Sequence, residues 1–208
     1  MDFLYRPPEM IKKIFPGIIW DNSDPGILLT IDDGPSENTF RVLDSLEKHG
    51  IKAVFFCTGK KIEKHFHEFN AILKAGHCVE NHGYDHKRMI LMNRNSSFKQ
   101  VEKTNKIISD FGVTQPLFFR PPYGLFNHHS LRAVEAKKMK MMLWTLLSGD
   151  HTGDFSTVRR LIGSYLRKGS IIVMHDNRKS SEIFSESLEC IVRTAMDRKL
   201  SFSRGYGG

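Results

Sequence analysis

Short apolar segments alternate with longer amphipathic segments along most of this chain. Residues 26–31 (GILLTI) form a continuous apolar run, which predicts a buried β-strand. Residues 39–49 carry apolar side chains at helical spacing and end at Gly50, which predicts a helix with a glycine stop. The same alternation predicts further strands at 53–57, 77–80, 117–119, 139–144, 170–174 and 200–203. It predicts further helices at 61–75, 98–111, 130–138, 158–167 and 185–198.

Repeated strand–helix units of this kind predict an α/β fold with a parallel sheet and helices packed against its outside. About seven such units favour a distorted (β/α) barrel, although periodicity alone leaves an open sheet as an alternative. In both architectures, reactive side chains gather where the parallel strands end. The polar residues that directly follow each predicted strand are therefore the first candidates for a functional site.

The composition is that of an ordinary globular protein, with 40% hydrophobic and 26% charged residues. A chain of 208 residues predicts one domain, spanning residues 1–208. The formal net charge of +8 favours anionic partners. The basic residues are dispersed over predicted helix faces, however, and no nucleic-acid-binding motif accompanies them. We therefore expect no nucleic-acid partner.

Cysteine usage and hydropathy bear on the compartment. The three cysteines, Cys57, Cys78 and Cys190, are odd in number and lack paired spacing, which argues against a disulfide framework. No segment reaches the apolar length of a membrane span, and the N-terminal residues lack the apolar core of a signal peptide. The sequence as given therefore predicts a cytoplasmic protein, with export left open, and indicates no oligomeric state.

Two carboxylates, Asp32 and Asp33, follow the first predicted strand. Adjacent carboxylates at a strand end repel each other unless a cation or a proton compensates them. The next two residues, Gly34 and Pro35, predict a sharp turn that can direct both carboxylates to one place. Taken alone, such a segment is more often an ordinary Asp-Gly turn.

Two histidines, His82 and His86, follow the third predicted strand. Their spacing lets both imidazoles meet one cation, as neutral imidazoles commonly do. Such pairs are frequent by chance, so the pair alone predicts little. Together with Asp33, the two histidines form a set that suits Zn²⁺ or a similar divalent ion and leaves positions open for water and substrate.

Later strand ends supply Arg120, Asp150 and His175. An arginine at a strand end can pair with a carboxylate and hold it ionised. A histidine directly behind the buried run 171–174 is either a structural histidine or a general acid or base tuned by a carboxylate. Each signal is weak by itself, but the joint pattern over five strand ends favours a single catalytic site.

These segments resemble the five motifs of the polysaccharide deacetylase family, which is family 4 of the carbohydrate esterases and contains the chitooligosaccharide deacetylase homology domain. The matching segments are residues 30–35 (TIDDGP), 82–86 (HGYDH), 120–123 (RPPY), 144–150 (WTLLSGD) and 173–175 (VMH). The resemblance extends from about residue 26 to the C-terminal region. It implies a distorted (β/α) barrel and a metal-dependent hydrolase that removes acetyl groups from an N-acetylated glycan of the chitooligosaccharide or peptidoglycan type.

The resemblance also implies roles for individual residues. Asp33, His82 and His86 would bind a divalent metal, with Zn²⁺ suiting the ligands best and Co²⁺ or another divalent ion also accepted. Asp32 would be the general base that deprotonates water, and Arg120 would orient it.

Further residues complete the implied mechanism. The backbone N–H of Tyr123 would hold the tetrahedral oxyanion. His175 would protonate the leaving amine, with Asp150 holding its imidazole in the useful tautomer. The pocket for the acetyl methyl group would be lined by Trp144, Val173 and Pro122.

The sequence departs from the family pattern at four positions. Ile31 replaces a phenylalanine, which is a change of packing. Gly83 replaces the serine or threonine that helps to fix the metal loop, so we expect lower metal affinity. Leu147 and His151 replace an aspartate and a tryptophan of the fourth motif, which alters the pocket wall and bears on substrate preference.

Alternative functions stay open at the level of sequence. The same machinery would serve an O-acetyl esterase or another amide hydrolase. An inactive glycan-binding or metal-binding module is a second alternative, which the presence of both Asp32 and His175 disfavours. A nucleic-acid binder rests on net charge alone. The sequence does not indicate which glycan is bound or how long it is.

Overall fold

A curled sheet of seven parallel strands forms the centre of the fold in the computed structural model, which describes residues 5–114 and 116–206. The strand order is β5-β4-β3-β2-β1-β7-β6, with every pairing parallel. The strands are β1 (Leu28–Asp32), β2 (Val54–Cys57), β3 (Cys78–Asn81), β4 (Phe118–Phe119), β5 (Lys140–Met141), β6 (Leu146–Leu147) and β7 (Ile171–His175). The predicted α/β class and distorted (β/α) barrel are confirmed.

Helices connect the strands and cover the outside of the sheet. They are α1 (Glu9–Ile14), α2 (Thr39–Lys48), α3 (Gly59–Lys64), α4 (Phe66–Lys74), α5 (Arg94–Asp110), α6 (His128–Ala136), α7 (Phe155–Tyr165) and α8 (Phe184–Asp197). Short 3₁₀ turns add Met89–Leu91, Pro122–Gly124 and Asp150–Thr152. Among the described residues, none of these helices combines the length and apolar character that a membrane span needs.

The structure differs from two predicted elements and contains one helix that the sequence did not predict. The helix predicted at 61–75 is wrong as one element, because His65 adopts φ −120° and ψ 50° and separates α3 from α4. The strand predicted at 200–203 is reduced to one bridge between Ile27 and Phe202. The sequence predicted no element at 9–14, where α1 forms without burying any of its residues.

The strand predicted at 139–144 is the first part of a longer extended segment that joins the two ends of the sheet. The N–H of Met142 donates to the carbonyl of Phe119 in β4, whereas the N–H of Ser148 donates to the carbonyl of Val173 in β7. The segment therefore changes its neighbour half-way along. This change splits it into β5 and β6 and brings the two edges of the sheet together.

Alternation along β1 places its side chains on two different surfaces. Leu29 and Ile31 belong to the main core, which packs between the sheet and the surrounding helices. Leu28 belongs to a smaller cluster with Phe56 and three other residues on the opposite surface of the sheet. Because Asp32 lies an even number of residues from Leu28, its side chain faces the inner surface, where the site forms.

Candidate active site

A pocket of about 570 Å³ lies where β1, β3 and β7 end. It is lined by Asp32, Asp33, His82, His86, Tyr123, Gly124, Trp144, Leu147, His151, His175, Asn177, Arg178 and Lys179. The strand-end residues that the sequence singled out therefore meet in one cavity. Arg120 and Asp150 lie behind its wall, each with no exposed surface.

Asp33, His82 and His86 form a cluster whose three donor atoms all lie within 4.8 Å of one another. The Asp33 carboxylate oxygen Oδ1 is 2.8 Å from Nε2 of His86 and 3.6 Å from Nε2 of His82. Burial raises the pKa of Asp33, but the two imidazoles outweigh burial and hold the pKa well below its usual range. Asp33 is therefore an anion that faces two imidazole nitrogens.

Neighbouring groups fix the orientation of this cluster. Nδ1 of His82 is 2.8 Å from the carbonyl oxygen of Arg120. Because a carbonyl only accepts, Nδ1 is the donor in this bond, and Nε2 is the ring nitrogen that faces the cluster and could bind a metal ion. Asn177 donates from Nδ2 to Oδ2 of Asp33 at 2.8 Å, which leaves Oδ1 facing the histidines. Two imidazole nitrogens and one carboxylate oxygen are a donor set that fits zinc or another divalent transition-metal ion.

Asp32 lies beside this cluster, and a different partner holds it. Its Oδ1 accepts a 2.6 Å hydrogen bond from Nη1 of Arg120, which also donates to the hydroxyl of Thr30 at 2.7 Å. The remaining guanidinium nitrogens donate to the carbonyls of Met142 and Leu143. Arg120 is fully buried with all three nitrogens bonded, so it holds the Asp32 carboxylate in one place.

His175 and Asp150 form a pair on the other side of the pocket. Nδ1 of His175 is 2.8 Å from Oδ1 of Asp150, and the backbone N–H of His175 donates to Oδ2. Ser148 donates a further hydrogen bond to Oδ1. Burial lowers the pKa of His175, but the neighbouring Asp150 carboxylate prevails and raises the pKa to about 9. The imidazole is therefore protonated at neutral pH.

A second group of possible metal-binding side chains overlaps this pair. Asp150, His151 and His175 also place one donor atom each within 4.8 Å. Asp150 and His175 already hydrogen bond to each other, so this group offers fewer free donor atoms than the Asp33 cluster. Burial and the neighbouring charge of His175 lower the pKa of His151.

Of the residues predicted to hold the oxyanion or to line the acetyl pocket, some line the pocket and others lie behind its wall. Tyr123 lies in the pocket wall with φ 62°, and its ring packs edge-on against His86 at 4.7 Å. Trp144 also lines the pocket and covers Gly124 so closely that an added Cβ would lie 2.5 Å from the indole. Pro122 and Val173 are buried and do not belong to the lining.

Sequence reasoning assigned no role to two residues that support the site. Asn177, which fixes Asp33, follows the end of β7 by two positions and was not identified as a candidate. Asp176 accepts hydrogen bonds from the hydroxyls of Ser36 and Thr39, immediately after the turn that carries the paired aspartates. The rule that reactive residues follow the strands applies to 176 and 177 as well as to 175, and it could have found both.

Comparisons with known proteins agree with this geometry. The polysaccharide deacetylase family matches residues 21–142. The peptidoglycan-N-acetylglucosamine deacetylase of Bacillus cereus is 31% identical over 151 residues, which is 72% of this chain and 55% of that protein. The chain spans little more than half the length of this relative, and less than half the length of the other curated relatives named below.

Solved structures share the fold. The Bc1960 peptidoglycan N-acetylglucosamine deacetylase superposes with a TM-score of 0.84 at 26% identity, with 92% of each chain covered. A protein of Bacillus anthracis, described as a family 4 carbohydrate esterase pseudoenzyme, has a TM-score of 0.80 at 23% identity, covering 89% of this chain and 66% of its own. The second likeness concerns the fold alone. With more than half of its residues matched, this chain belongs to the polysaccharide deacetylase family.

Proposed function

We propose that this chain is a single catalytic domain that hydrolyses the acetamido group of an N-acetylated amino-sugar glycan, of the chitooligosaccharide or peptidoglycan type, with a divalent metal ion. One observation carries the proposal. Asp32 faces the same pocket as the Asp33, His82 and His86 cluster but is held by Arg120 instead. One carboxylate is thus available for metal binding and the other for proton transfer.

The metal would be held by Asp33, His82 and His86, and Zn²⁺ suits these donors best, with Co²⁺ as an alternative. When bound, such an ion acts as a Lewis acid that polarises the acetyl carbonyl and makes water easier to deprotonate. Gly83 lacks the side chain that would help to fix the loop between the two histidines. Instead, Oδ1 of Asn81 accepts from the N–H of Gly83, and Oε1 of Gln100 accepts from the loop N–H groups of Tyr84 and Asp85. Lower metal affinity stays an expectation, which a Zn²⁺ titration tests.

Asp32 would take the proton from the attacking water. Asp32 as a residue is 4% exposed and lines the pocket, so its carboxylate meets the substrate side and is otherwise shielded from solvent. The bond from Arg120 fixes its position, which reduces the reorganisation that proton transfer requires. The backbone N–H of Tyr123, at the pocket wall, would donate to the developing oxyanion.

His175 would donate a proton to the leaving amine as the C–N bond breaks. Its raised pKa, about 9, keeps the imidazole protonated at neutral pH, which is the form that a general acid requires. The bond from Nδ1 to Asp150 directs Nε2 towards the pocket. Trp144 and Leu147 would form the wall beside the acetyl methyl group, with Pro122 and Val173 supporting that wall from behind.

Relatives support the class of substrate. Peptidoglycan-N-acetylglucosamine deacetylases of Bacillus cereus and Listeria monocytogenes are each 31% identical over more than 70% of this chain. A bifunctional xylanase/xylan deacetylase of Cellvibrio japonicus is 30% identical over 71% of this chain. The similarity to a xylan deacetylase makes O-acetylated glycans the appropriate comparison substrates.

The test measures acetate released from N-acetylated chitooligosaccharides, peptidoglycan fragments and O-acetylated xylan. We expect release from an N-acetylated glycan by the wild-type chain. Asp32→Asn preserves the size of the side chain and should reduce the rate at least a hundredfold, because it removes the base. The exposed aspartate Asp44, on α2, provides the matched control Asp44→Asn, which should retain the rate. Release from xylan alone would favour the esterase, and no release from any substrate would contradict the proposal.

A further inference from the structure

Two basic side chains of the pocket, Arg178 and Lys179, take no part in the chemistry described above. Both line the cavity and are exposed to solvent. Within residues 5–114 and 116–206, neither side chain has an acidic partner. Two adjacent cations at the mouth of a pocket, without a counter-charge of their own, attract an anion from outside.

The segment that carries these cations is fixed by its neighbours. Oδ1 of Asn177 accepts hydrogen bonds from the backbone N–H groups of Lys179 and Ser180, at 2.9 and 3.2 Å. Nδ2 of the same side chain donates to Asp33. The hydroxyl of Ser180 donates to the carbonyl of His175 at 2.6 Å. The backbone of 178–179 is thereby held at a set position relative to Asp33 and His175.

The carboxylates of Asp32, Asp33 and Asp150, in and behind the pocket, form no ion pair with these two cations. Asp32 is paired with Arg120, and Asp150 is paired with His175. Asp33 faces two histidines and accepts from the amide of Asn177. Each of these three carboxylates therefore has partners of its own, and the part of the chain that the structure describes provides no ion pair for Arg178 or Lys179 at the mouth of the pocket.

The charge of Lys179 also acts inside the pocket. Burial is the largest cause of the lowered pKa of His151, followed by the charge of His175. The carboxylates of Asp150 and Asp33 oppose this shift, and the ammonium group of Lys179 adds a smaller lowering effect. His151 lines the pocket beside these residues. The charge of Lys179 therefore reaches the part of the pocket wall that His151 forms.

We propose that Arg178 and Lys179 select glycans that carry an anionic group, a carboxylate or a phosphate, beside the acetamido group that is cleaved. This inference rests on the proposed function, because it concerns the substrate of the same pocket. Arginine offers paired N–H donors that match a carboxylate or a phosphate, and lysine adds a point charge. Loss of both exposed cations should weaken recognition of such a group roughly tenfold.

The experiment compares substrates that differ in one charge. One pair is an oligosaccharide of N-acetylmuramic acid, whose lactyl group carries a carboxylate, and the same oligosaccharide with that carboxylate methyl-esterified. A second pair is an N-acetylglucosamine oligosaccharide with and without a 6-phosphate, which separates the two sources of negative charge. The measured quantity is the ratio of kcat/KM between the anionic and the neutral member of each pair.

We expect the wild-type ratio to exceed one for at least one pair and to fall as ionic strength rises, because exposed charges are screened by salt. Arg178→Gln/Lys179→Gln should lower that ratio about tenfold. The control Lys64→Gln/Arg132→Gln removes the same charge from exposed positions outside the pocket lining and should leave the ratio unchanged. A wild-type ratio of one or less for both pairs, or an equal ratio in the 178/179 variant, would overturn the inference.

A separate measurement distinguishes this inference from the proposed function. Calorimetric titration of the Asp32→Asn variant with each substrate pair measures binding without turnover. One outcome is that the wild-type chain releases no acetate, the Asp32→Asn variant binds the anionic member more tightly, and this preference disappears when Arg178 and Lys179 are also replaced by glutamine. In that case the inference stands and the proposed hydrolysis fails. Equal binding of both members, with acetate still released by the wild type, refutes the inference alone.

Discussion

Replacing Arg120 by methionine tests whether this buried guanidinium is the group that fixes Asp32. The side chain is fully buried, donates to Asp32 and to three other oxygens, and places its guanidinium carbon 4.0 Å from the centroid of the Phe56 ring. Removing one member of a buried ion pair costs about 3–5 kcal/mol, because the other charge stays buried without a partner. Such a loss is a large fraction of the roughly 5–15 kcal/mol that stabilises a typical domain.

The assay is urea unfolding in the presence of a chelator, so that metal binding does not contribute to the free energy of unfolding. Arg120→Met should lower that free energy by about 3–5 kcal/mol. Arg120→Met/Asp32→Asn removes both charges and should cost at least about 2 kcal/mol less than the sum of the two single variants. The control Arg193→Met removes an exposed arginine paired with Glu189 and should change stability by less than about 0.5 kcal/mol.

The reasoning would be refuted if the two single variants were additive to within about 0.5 kcal/mol, because independent sites behave in that way. A loss of stability in Arg120→Met no larger than that of Arg193→Met would refute it equally. Acetate release provides a second readout. Arg120→Met should also lose activity at a temperature where it is still folded, because Asp32 is then no longer held at the pocket.

Three further variants test the shifted pKa values of Glu80, His77 and His175. Burial raises the pKa of Glu80 to about 8, so the folded chain should lose stability as pH rises from about 4.5 to 8. The loss should be on the order of 2–4 kcal/mol in the free energy of urea unfolding, and Glu80→Gln should abolish it. Burial lowers the pKa of His77 to about 4, and the charge of Lys52 acts in the same direction. The free energy of unfolding should therefore fall by on the order of 2–3 kcal/mol as pH drops from 6.5 to 4, whereas His77→Gln should show no such fall. Asp150→Asn should return the pKa of His175 from about 9 to near or below 6.5 by NMR titration and slow acetate release at least a hundredfold; an unchanged titration would contradict the assigned pairing.

The fold was predictable where one apolar run has one structural role. The segments that became β1, β2 and β7 are continuous buried runs, and helices follow them with clear periodicity. The segment 139–148 was predicted poorly, because its break arises from a change of pairing partner between β4 and β7. Periodicity along one segment carries no information about which neighbour supplies the next hydrogen bond.

Local breaks and short elements were also beyond the pattern. The division of 61–75 occurs at His65, a residue that is compatible with helix, so composition does not signal it. α1 buries none of its residues and therefore leaves little amphipathic signal. In both cases, the pattern of apolar and polar residues alone does not mark where the helix breaks or begins.

The sequence predicted the residues that line the candidate site better than the residues that hold them in place. The strand-end rule brought together Asp33, His82 and His86 from separate parts of the sequence, and the structure places them within 4.8 Å. Asn177 follows β7 by two positions, so the strand-end rule reaches it, but its role is not readable until its partner Asp33 is located. The substrate-side cations at 178 and 179 were missed because basic residues in a loop are usually solvated.

The central claim is that the Asp33, His82 and His86 cluster holds the ion on which hydrolysis depends. In the most direct measurement, the chelator-treated chain is titrated with Zn²⁺. Bound metal and acetate release from an N-acetylated oligosaccharide are recorded together. We predict no release without metal, a rise that saturates near one equivalent, and loss of both tight binding and release in His86→Ala. Full activity in metal-free chain, or restoration by Zn²⁺ in His86→Ala to the wild-type level, would contradict the account.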